Sequence, residues 1–389
     1  MSGTGAPDEF YSWVVALVGA FASIFTFGTP YSFGVFLRYF GPTYPFSEVL
    51  LSSIFSLQLF MFFAGGGILG VLISKVPARR VLIVSGAVLS LLAPSLFVVE
   101  SIYALAFVFA TMGVILGTVY VVLASTIPRW FDTYRGTGTG ILFAGNGLSL
   151  FLVPPAWHYT LDTLGVRQGF FVFLVVTAVP VFFAGLICRD PPWVEDESTT
   201  GTELYDWVVG IWRSNDLTYQ FAGVAFSLGW YSLLSVFTLG LFESRGLSAS
   251  RASLMFGFIG GISIFSRLGS GVVADRIGAY PSYLLSMSTA GVATILLFVP
   301  SILTSLVAVV LFGLGLGGAA TLYIPVLLEM YDPERSTAVI GVFTTAFGVT
   351  SLVLPLVGTA IVSNTESYVP VIAFTLATIL LGMYCWWRV

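Results

Sequence analysis

Charge is scarce in this 389-residue chain: Asp, Glu, Lys and Arg make up 9% of it, against 57% hydrophobic residues. A soluble domain carries about 25% charged residues. So few charges cannot cover a water-soluble protein of this size, which excludes a soluble enzyme and a disordered chain. Basic charge is scarcer still. With 15 Lys and Arg against 19 Asp and Glu the net charge is −4, so the basic footprint of a nucleic-acid binder is missing. One histidine, His158, cannot form a His-clustered metal site, and no metal or other cofactor is expected. Two cysteines, Cys188 and Cys385, exclude a disulfide framework. Both close apolar runs and read as small buried residues.

Long apolar runs, by contrast, fill the chain. A spanning helix needs about 20 mostly apolar residues. Twelve such runs are present, near 11–38, 49–73, 81–99, 102–126, 138–159, 169–187, 217–241, 253–274, 282–299, 302–328, 337–361 and 369–387. Turn chemistry separates them: Gly41-Pro42, Val76-Pro77, Gly165, Asp190-Pro191-Pro192, Gly246, Gly278, Asp332-Pro333 and Ser363-Asn364. The segment Met1 to Glu9 lacks the basic flank of a secretory signal, so the first run is expected to be a retained span.

Lys and Arg orient the bundle. With the N-terminus inside, the inner loops hold ten cations: Lys75, Arg79, Arg80, Arg129, Arg135, Arg189, Arg213, Arg276, Arg335 and Arg388. Arg38, Arg167, Arg245 and Arg251 fall outside. This predicts a multi-pass protein of the cell membrane with both termini cytoplasmic. The longest polar stretch, Pro191 to Asp216, divides the spans into a half over 1–190, a linker over 191–216 and a half over 217–389. Within the linker, Leu204 to Trp212 reads as a short interfacial helix.

The halves echo each other. Gly70 and Gly271, Lys75 and Arg276, Gly147 and Gly348, and Pro154 and Pro355 are each 201 apart; Asp132 and Asp332, and Arg135 and Arg335, are 200 apart. Six matches in the same order, at matching helix ends, mark a parallel repeat. The expected architecture is an all-α membrane protein of twelve transmembrane helices in two pseudo-symmetric six-helix halves. Such a repeat places a cavity at mid-membrane between the halves.

The segment Gly271-Val-Val-Ala-Asp275-Arg276-Ile-Gly278 resembles the loop signature of the major facilitator superfamily, G-x-x-x-D-R-x-G. The first-half copy, from Gly70 to Arg80, is degraded: Ser74 stands in place of the acid and Pro77 in place of the glycine. Tyr31 to Phe36, Arg129-Trp130-Phe131 with Arg135 to Gly140, and Phe265-Ser266-Arg267 resemble the monocarboxylate porter branch, which includes oxalate–formate exchangers. The resemblance covers all twelve spans.

Arg267 is the charge that no loop accounts for. It precedes Asp275 by 8 residues, which puts it about 12 Å into a core about 30 Å thick. An arginine at that depth costs roughly 2.5–3.5 kcal/mol or more unless paired or hydrated. Ser263, Ile264, Ser270 and Gly271 flank it on its helix face, and no Asp or Glu lies near mid-depth in any span. A substrate carboxylate held by two parallel hydrogen bonds would supply the partner. The alternative is an arginine satisfied by backbone carbonyls and Tyr hydroxyls. The resemblance implies the former, since the matching arginine in the monocarboxylate branch binds the substrate carboxylate.

Two departures bear on coupling. Animal members of the branch carry lysine where Tyr31 stands and aspartate where Ser263 stands, both implicated in proton coupling. Oxalate exchangers carry a lysine in the eleventh span, whereas residues 337–361 contain neither Lys nor Arg. One fixed positive charge suits one carboxylate.

Tyr31, Tyr120, Asn146 and Tyr323 fall on spans 1, 4, 5 and 10, which line the cavity in this superfamily. Each is either a substrate contact or a bond between helices. Trp230, Tyr231, Thr344 and Phe347 are weaker candidates. His158, the one side chain that ordinarily titrates near neutrality, is either a proton site or an ordinary interfacial residue beside Trp157 and Tyr159. Asp275 is expected near the N-terminus of the eleventh span, where the helix dipole favours an anion. Arg276 is expected to pair with Glu329, Asp332 or Glu334. With Lys75, Arg79, Arg135 and Arg335, these residues would latch the inner face. The Gly313 to Gly318 match to G-x-G-x-x-G lies inside an apolar span with no strand before it, so it reads as a packing surface.

No paired acids, His cluster or Cys–His pair lies within the spans, so no catalytic residues are expected. The sequence reads as a secondary carrier of small monocarboxylates such as lactate or pyruvate. Its partners are the organic anion, the lipid bilayer and either protons or a counter-anion, and a monomer suffices. An oxalate–formate type exchanger and a non-transporting carboxylate receptor are the alternatives.

Overall fold

In a bilayer every backbone N–H and C=O must be satisfied internally, and a helix does this within one segment. The computed structural model describes residues 7–193, 215–331, 336–365 and 367–389. Its elements are helices, with no strand among the described residues. The linker piece expected to be an interfacial helix lies outside them.

The helices follow the expected runs. The first run divides into α1 (Phe10–Gly28) and α2 (Phe33–Thr43). The second is α3 (Glu48–Phe60), a single π-helical turn at Met61–Gly65, and α4 (Gly66–Leu72). The third and fourth are α5 (Ala78–Leu92) and α6 (Ile102–Thr126). The fifth and sixth are two arms of α7 (Arg135–Ile187). The second half contributes α8 (Asn215–Ser244), α9 (Ala249–Ile277), α10 (Ala279–Leu296), α11 (Ile302–Met330), α12 (Ser336–Thr365) and α13 (Val369–Trp387). Eight helical stretches among the described residues are long and apolar enough to cross a membrane, one of them the double-length α7.

Two interruptions shape the first half. Within α7 the chain reverses at Gly165, whose φ of +75° only glycine adopts without strain. Between α1 and α2, Pro30 has no N–H to extend the helix. The next two N–H groups close tight turns instead, Tyr31 on the Gly28 carbonyl at 3.2 Å and Ser32 on the Thr29 carbonyl at 3.0 Å. The run expected to be one helix is therefore broken near its middle.

The halves meet along two seams, the first arm of α7 against α9 and the π turn with α4 against α12. Glycines let the backbones touch. A Cβ on Gly136 would lie 2.6 Å from the Gly271 carbonyl oxygen, and one on Gly67 would lie 2.5 Å from that of Gly341. Nearer mid-membrane, Gly147 meets Ile264 and Gly348 meets Ala64. Repeat-related glycines, Gly70 with Gly271 and Gly147 with Gly348, thus lie at both seams, as a parallel repeat requires.

Both seams are tight toward the end of the bundle where α1 begins and α9 stops. Toward the other end, a Cβ on Gly257, Gly260 or Gly261 of α9 would meet nothing within 4 Å. The contacts between the halves are closest at the end carrying the termini, and these glycines meet no partner toward the opposite end, here termed the parted end.

Candidate functional site

Arg267 lies on α9 and is 3% exposed. The first arm of α7 brings glycines against it: a Cβ on Gly140 would stand 2.7 Å from the Arg267 carbonyl oxygen, and one on Gly147 3.5 Å from Arg267 Cδ. Four phenols lie within electrostatic reach of the guanidinium: Tyr31, Tyr120, Tyr231 and Tyr323. They come from both halves. Among the described residues no carboxylate pairs with Arg267, and its Nε is buried without a hydrogen-bond partner. A buried guanidinium can hold a carboxylate through two parallel hydrogen bonds.

Three of the four tyrosines were expected here. Tyr231 is a weak candidate in the sequence, because an aromatic residue in an apolar span resembles any packing residue; the fold brings it within electrostatic reach of Arg267. On the side of the termini, the Tyr120 and Tyr323 hydroxyls meet at 2.8 Å. Aromatic rings extend this contact into a floor. Phe62 packs on Tyr120 at 5.6 Å and on Phe27 at 5.8 Å, Phe27 packs on Tyr31 at 5.1 Å, and Phe347 packs on Tyr323 at 5.2 Å. The π turn aims the neighbouring Phe62 and Phe63 differently, Phe62 into its own half and Phe63 onto Phe347 of the other.

Asn146 is buried, and its Oδ1 accepts a hydrogen bond from Ser23 Oγ. It joins α7 to α1. His158 stands at the open end: the Tyr39 hydroxyl lies 2.7 Å from His158 Nδ1 and donates to Asp162 Oδ1 at 2.9 Å. The histidine is remote from Arg267 and beside aromatic neighbours.

The latch differs from the expectation in one respect. Asp275 caps the first arm of α7 rather than the eleventh span. Its carboxylate accepts the Gly136 N–H at 2.8 Å, the Thr137 N–H at 3.1 Å and the Thr137 hydroxyl. The physical reason is the seam itself: Gly136 on Gly271 sets the α7 N-terminus against the end of α9. Arg276 is exposed, and among the described residues it forms no ion pair. Asp332, Glu334 and Arg335 lie outside the described residues. Glu329 accepts the Ala279 N–H and lies within electrostatic reach of Arg135. Lys75 and Arg79 are exposed near the α4–α5 turn.

Cys188, just past the end of α7, is fully buried, and burial pushes its thiol up to about 12. It stays protonated and unreactive, and Cys385 is also buried. The described residues hold no group of His, Cys, Asp and Glu able to bind a metal ion.

One polar group passed unnoticed in the sequence. Gln58 of α3 is 0% exposed, and neither atom of its side-chain amide has a hydrogen-bond partner. A glutamine inside an apolar run was a visible signal.

The sequence model of the Major Facilitator Superfamily matches residues 15–303 and, in an overlapping second match, 219–389. "MFS transporter asaE" of Aspergillus flavus is 25% identical over 364 residues, covering 87% of this chain and 78% of that protein. "Monocarboxylate transporter 6" of Mus musculus is 24% identical, covering 93% of this chain and 83% of that protein. "Monocarboxylate transporter 2" of Homo sapiens is 22% identical, with 87% and 77% covered. Among solved structures, a bacterial homologue of the iron transporter ferroportin in an outward-facing state superimposes with a TM-score of 0.74 at 16% identity, over 97% of this chain and 98% of that one. At that identity the likeness is one of fold.

Proposed function

The chain belongs to the Major Facilitator Superfamily, and from that premise we propose that it carries small monocarboxylates, the Arg267 guanidinium holding the substrate carboxylate. A multi-pass membrane transporter is the role its relatives share. The finer reading rests on one observation: a buried arginine, within electrostatic reach of phenols from both halves, that no carboxylate of the described residues neutralises. The relatives that are monocarboxylate transporters support the same substrate class. With the termini in the cytoplasm, the parted end faces outward, and the site is poised to load from outside.

The test is counterflow in proteoliposomes with a panel of labelled organic acids. Arg267→Ala abolishes carboxylate uptake while the protein stays folded. Arg267→Lys keeps the charge but loses the two-pronged geometry and takes up acids much more weakly. Losing a buried charged partner costs about 2–5 kcal/mol. Lactate-like uptake at wild-type rates in either variant rejects the assignment. Binding without flux in the wild type identifies a receptor instead.

A further inference from the structure

We propose that the cavity selects monocarboxylates with a flat, apolar ring. With the carboxylate on Arg267, the ring lies over Gly260, against Phe256 and Tyr231. This rests on the reading of Arg267 as the carboxylate site and deepens it from a charge to a substrate class, the aryl monocarboxylates.

A helix repeats every 3.6 residues, so Ser263, Gly260 and Phe256, which stand four, seven and eleven residues before Arg267, share its face of α9. That face turns into the bundle, because Arg267 and Ser263 are both buried. The opposite face carries the exposed Leu254, Phe258 and Phe265 and meets lipid. Gly260 thus faces inward, yet it is only partly buried, and a Cβ there would meet nothing within 4 Å. Gly271, one turn beyond Arg267 in the other direction, is pressed on the backbone of Gly136 instead. The space at Gly260 is therefore a gap between the halves, inside the bundle.

Arg267 reaches toward this gap. Side chains of a helix tilt toward its start, and α9 starts at the parted end. The position of Gly147 shows the tilt directly: a Cβ there would stand 3.3 Å from the Ile264 Cα and 3.5 Å from Arg267 Cδ. The arginine stem has thus climbed to the level of a residue one turn nearer the parted end. Gly260 lies about 10 Å from the Arg267 Cα along the axis. The phenols divide the same way. Tyr120 and Tyr323 are buried, whereas Tyr31 and Tyr231 keep exposed surface. Tyr31 and Tyr231 are 200 residues apart, a repeat-related pair, and lie within electrostatic reach of each other and of Arg267.

The walls of the gap are apolar. Tyr231 stacks on the partly exposed Phe256, with centroids 6.1 Å apart and planes 11° from parallel. Tyr31 packs on Phe27 at 5.1 Å. Ser263, the polar side chain between Arg267 and Gly260 on this face, spends its hydroxyl on the Gly260 carbonyl at 2.7 Å. An apolar tail gains here in proportion to the area it removes from water, and a ring adds contacts with the aromatic pair. A second carboxylate would be desolvated without a partner. An acid of lactate's size stays beside the guanidinium and leaves the space at Gly260 unfilled.

The experiment measures half-saturation of counterflow in proteoliposomes for labelled acetate and labelled phenylacetate, each corrected for leakage into protein-free vesicles. In the wild type phenylacetate half-saturates at a concentration about tenfold lower or more. Gly260→Leu puts a side chain into the gap and reduces that ratio about tenfold. Gly260→Ala, which adds one methyl at an open position, reduces it less. Phe256→Ala removes a wall and also reduces it. No preference for phenylacetate in the wild type overturns the subsite, and so does a ratio unchanged in both Gly260→Leu and Phe256→Ala. An equal loss for the two acids in Gly260→Leu overturns it as well, since Gly260 is then a gating position. Failure of the carboxylate reading is distinct: there, Arg267→Ala still takes up acetate, whatever the Gly260 variants do.

Discussion

The hydroxyl of Tyr120 meets that of Tyr323 at 2.8 Å, and the two residues occupy the fourth and tenth spans, which correspond in the repeat. The bond crosses from one half to the other on the closed side of Arg267. It must break whenever the halves part at that end. Tyr120→Phe and Tyr323→Phe each remove it while keeping the ring, at a cost of roughly 0.5–1.5 kcal/mol to the closed arrangement. Each variant shifts the population toward opening at the termini end. The double variant shifts it no further than either single one, because the two residues share one bond. Labelling of single cysteines introduced at that end reads the shift. Additive effects of the two substitutions would show that the bond is not the coupling element.

A glycine contact gives a sharper test of the seam. A Cβ on Gly271 would overlap the Gly136 carbonyl oxygen, a backbone atom that cannot easily move aside. Gly271→Ala therefore forces α9 from α7 at the termini end. The expected result is more labelling on that side and a lower affinity for impermeant acids presented at the parted end. Labelling equal to that of the wild type would mean the seam yields elsewhere.

The opposite change strengthens closure. Asp275 caps the α7 N-terminus across one seam, and Ser74 is its counterpart in the repeat, 201 residues earlier, which by that symmetry corresponds to the start of α12. Ser74→Asp supplies a carboxylate to the second helix start. Capping is typically worth about 1 kcal/mol, so the closed arrangement gains about fivefold in population. Labelling at the termini end falls in this variant; an unchanged or greater signal counts against the symmetry of the two latches. The buried Cys188 and Cys385 keep the background of such labelling low.

Much of the fold was legible because bilayer solvation leaves few options. Apolar runs of spanning length, turn residues between them and a 201-residue echo in the glycines led to two six-helix halves. The break at Pro30 was hidden, because a proline within an apolar run is also compatible with a kinked continuous helix. Arg267 was legible because a charge at that depth has few uses. Its nearby phenols were legible in part: Tyr31, Tyr120 and Tyr323 fell on expected cavity helices, whereas Tyr231 needed the packing. The capping role of Asp275 was foreseen in kind, but the helix it caps was not. Periodicity locates a carboxylate on its own helix and says nothing about which helix start the seam brings to it.

The remaining prediction concerns how the empty carrier resets. A bound monoanion neutralises Arg267, so the loaded protein closes around a site with little net charge. The empty protein must close around a bare guanidinium, and none of the described residues offers it a carboxylate. Carrying an unpaired arginine through a drying cavity is costly, and the nearby phenols supply dipoles rather than charge. Exchange therefore outpaces net uptake. Vesicles preloaded with unlabelled acid take up label several-fold faster than empty vesicles at equal pH on both sides. Equal initial rates would mean that the empty carrier resets freely. In that case an inward pH gradient decides how. If net uptake rises with the gradient, after correction for protonated acid crossing the lipid unaided, a proton accompanies the substrate. Tyr31 beside the guanidinium and His158 at the parted end are then the residues to replace, with Tyr31→Phe removing the inner candidate and His158→Gln the outer one.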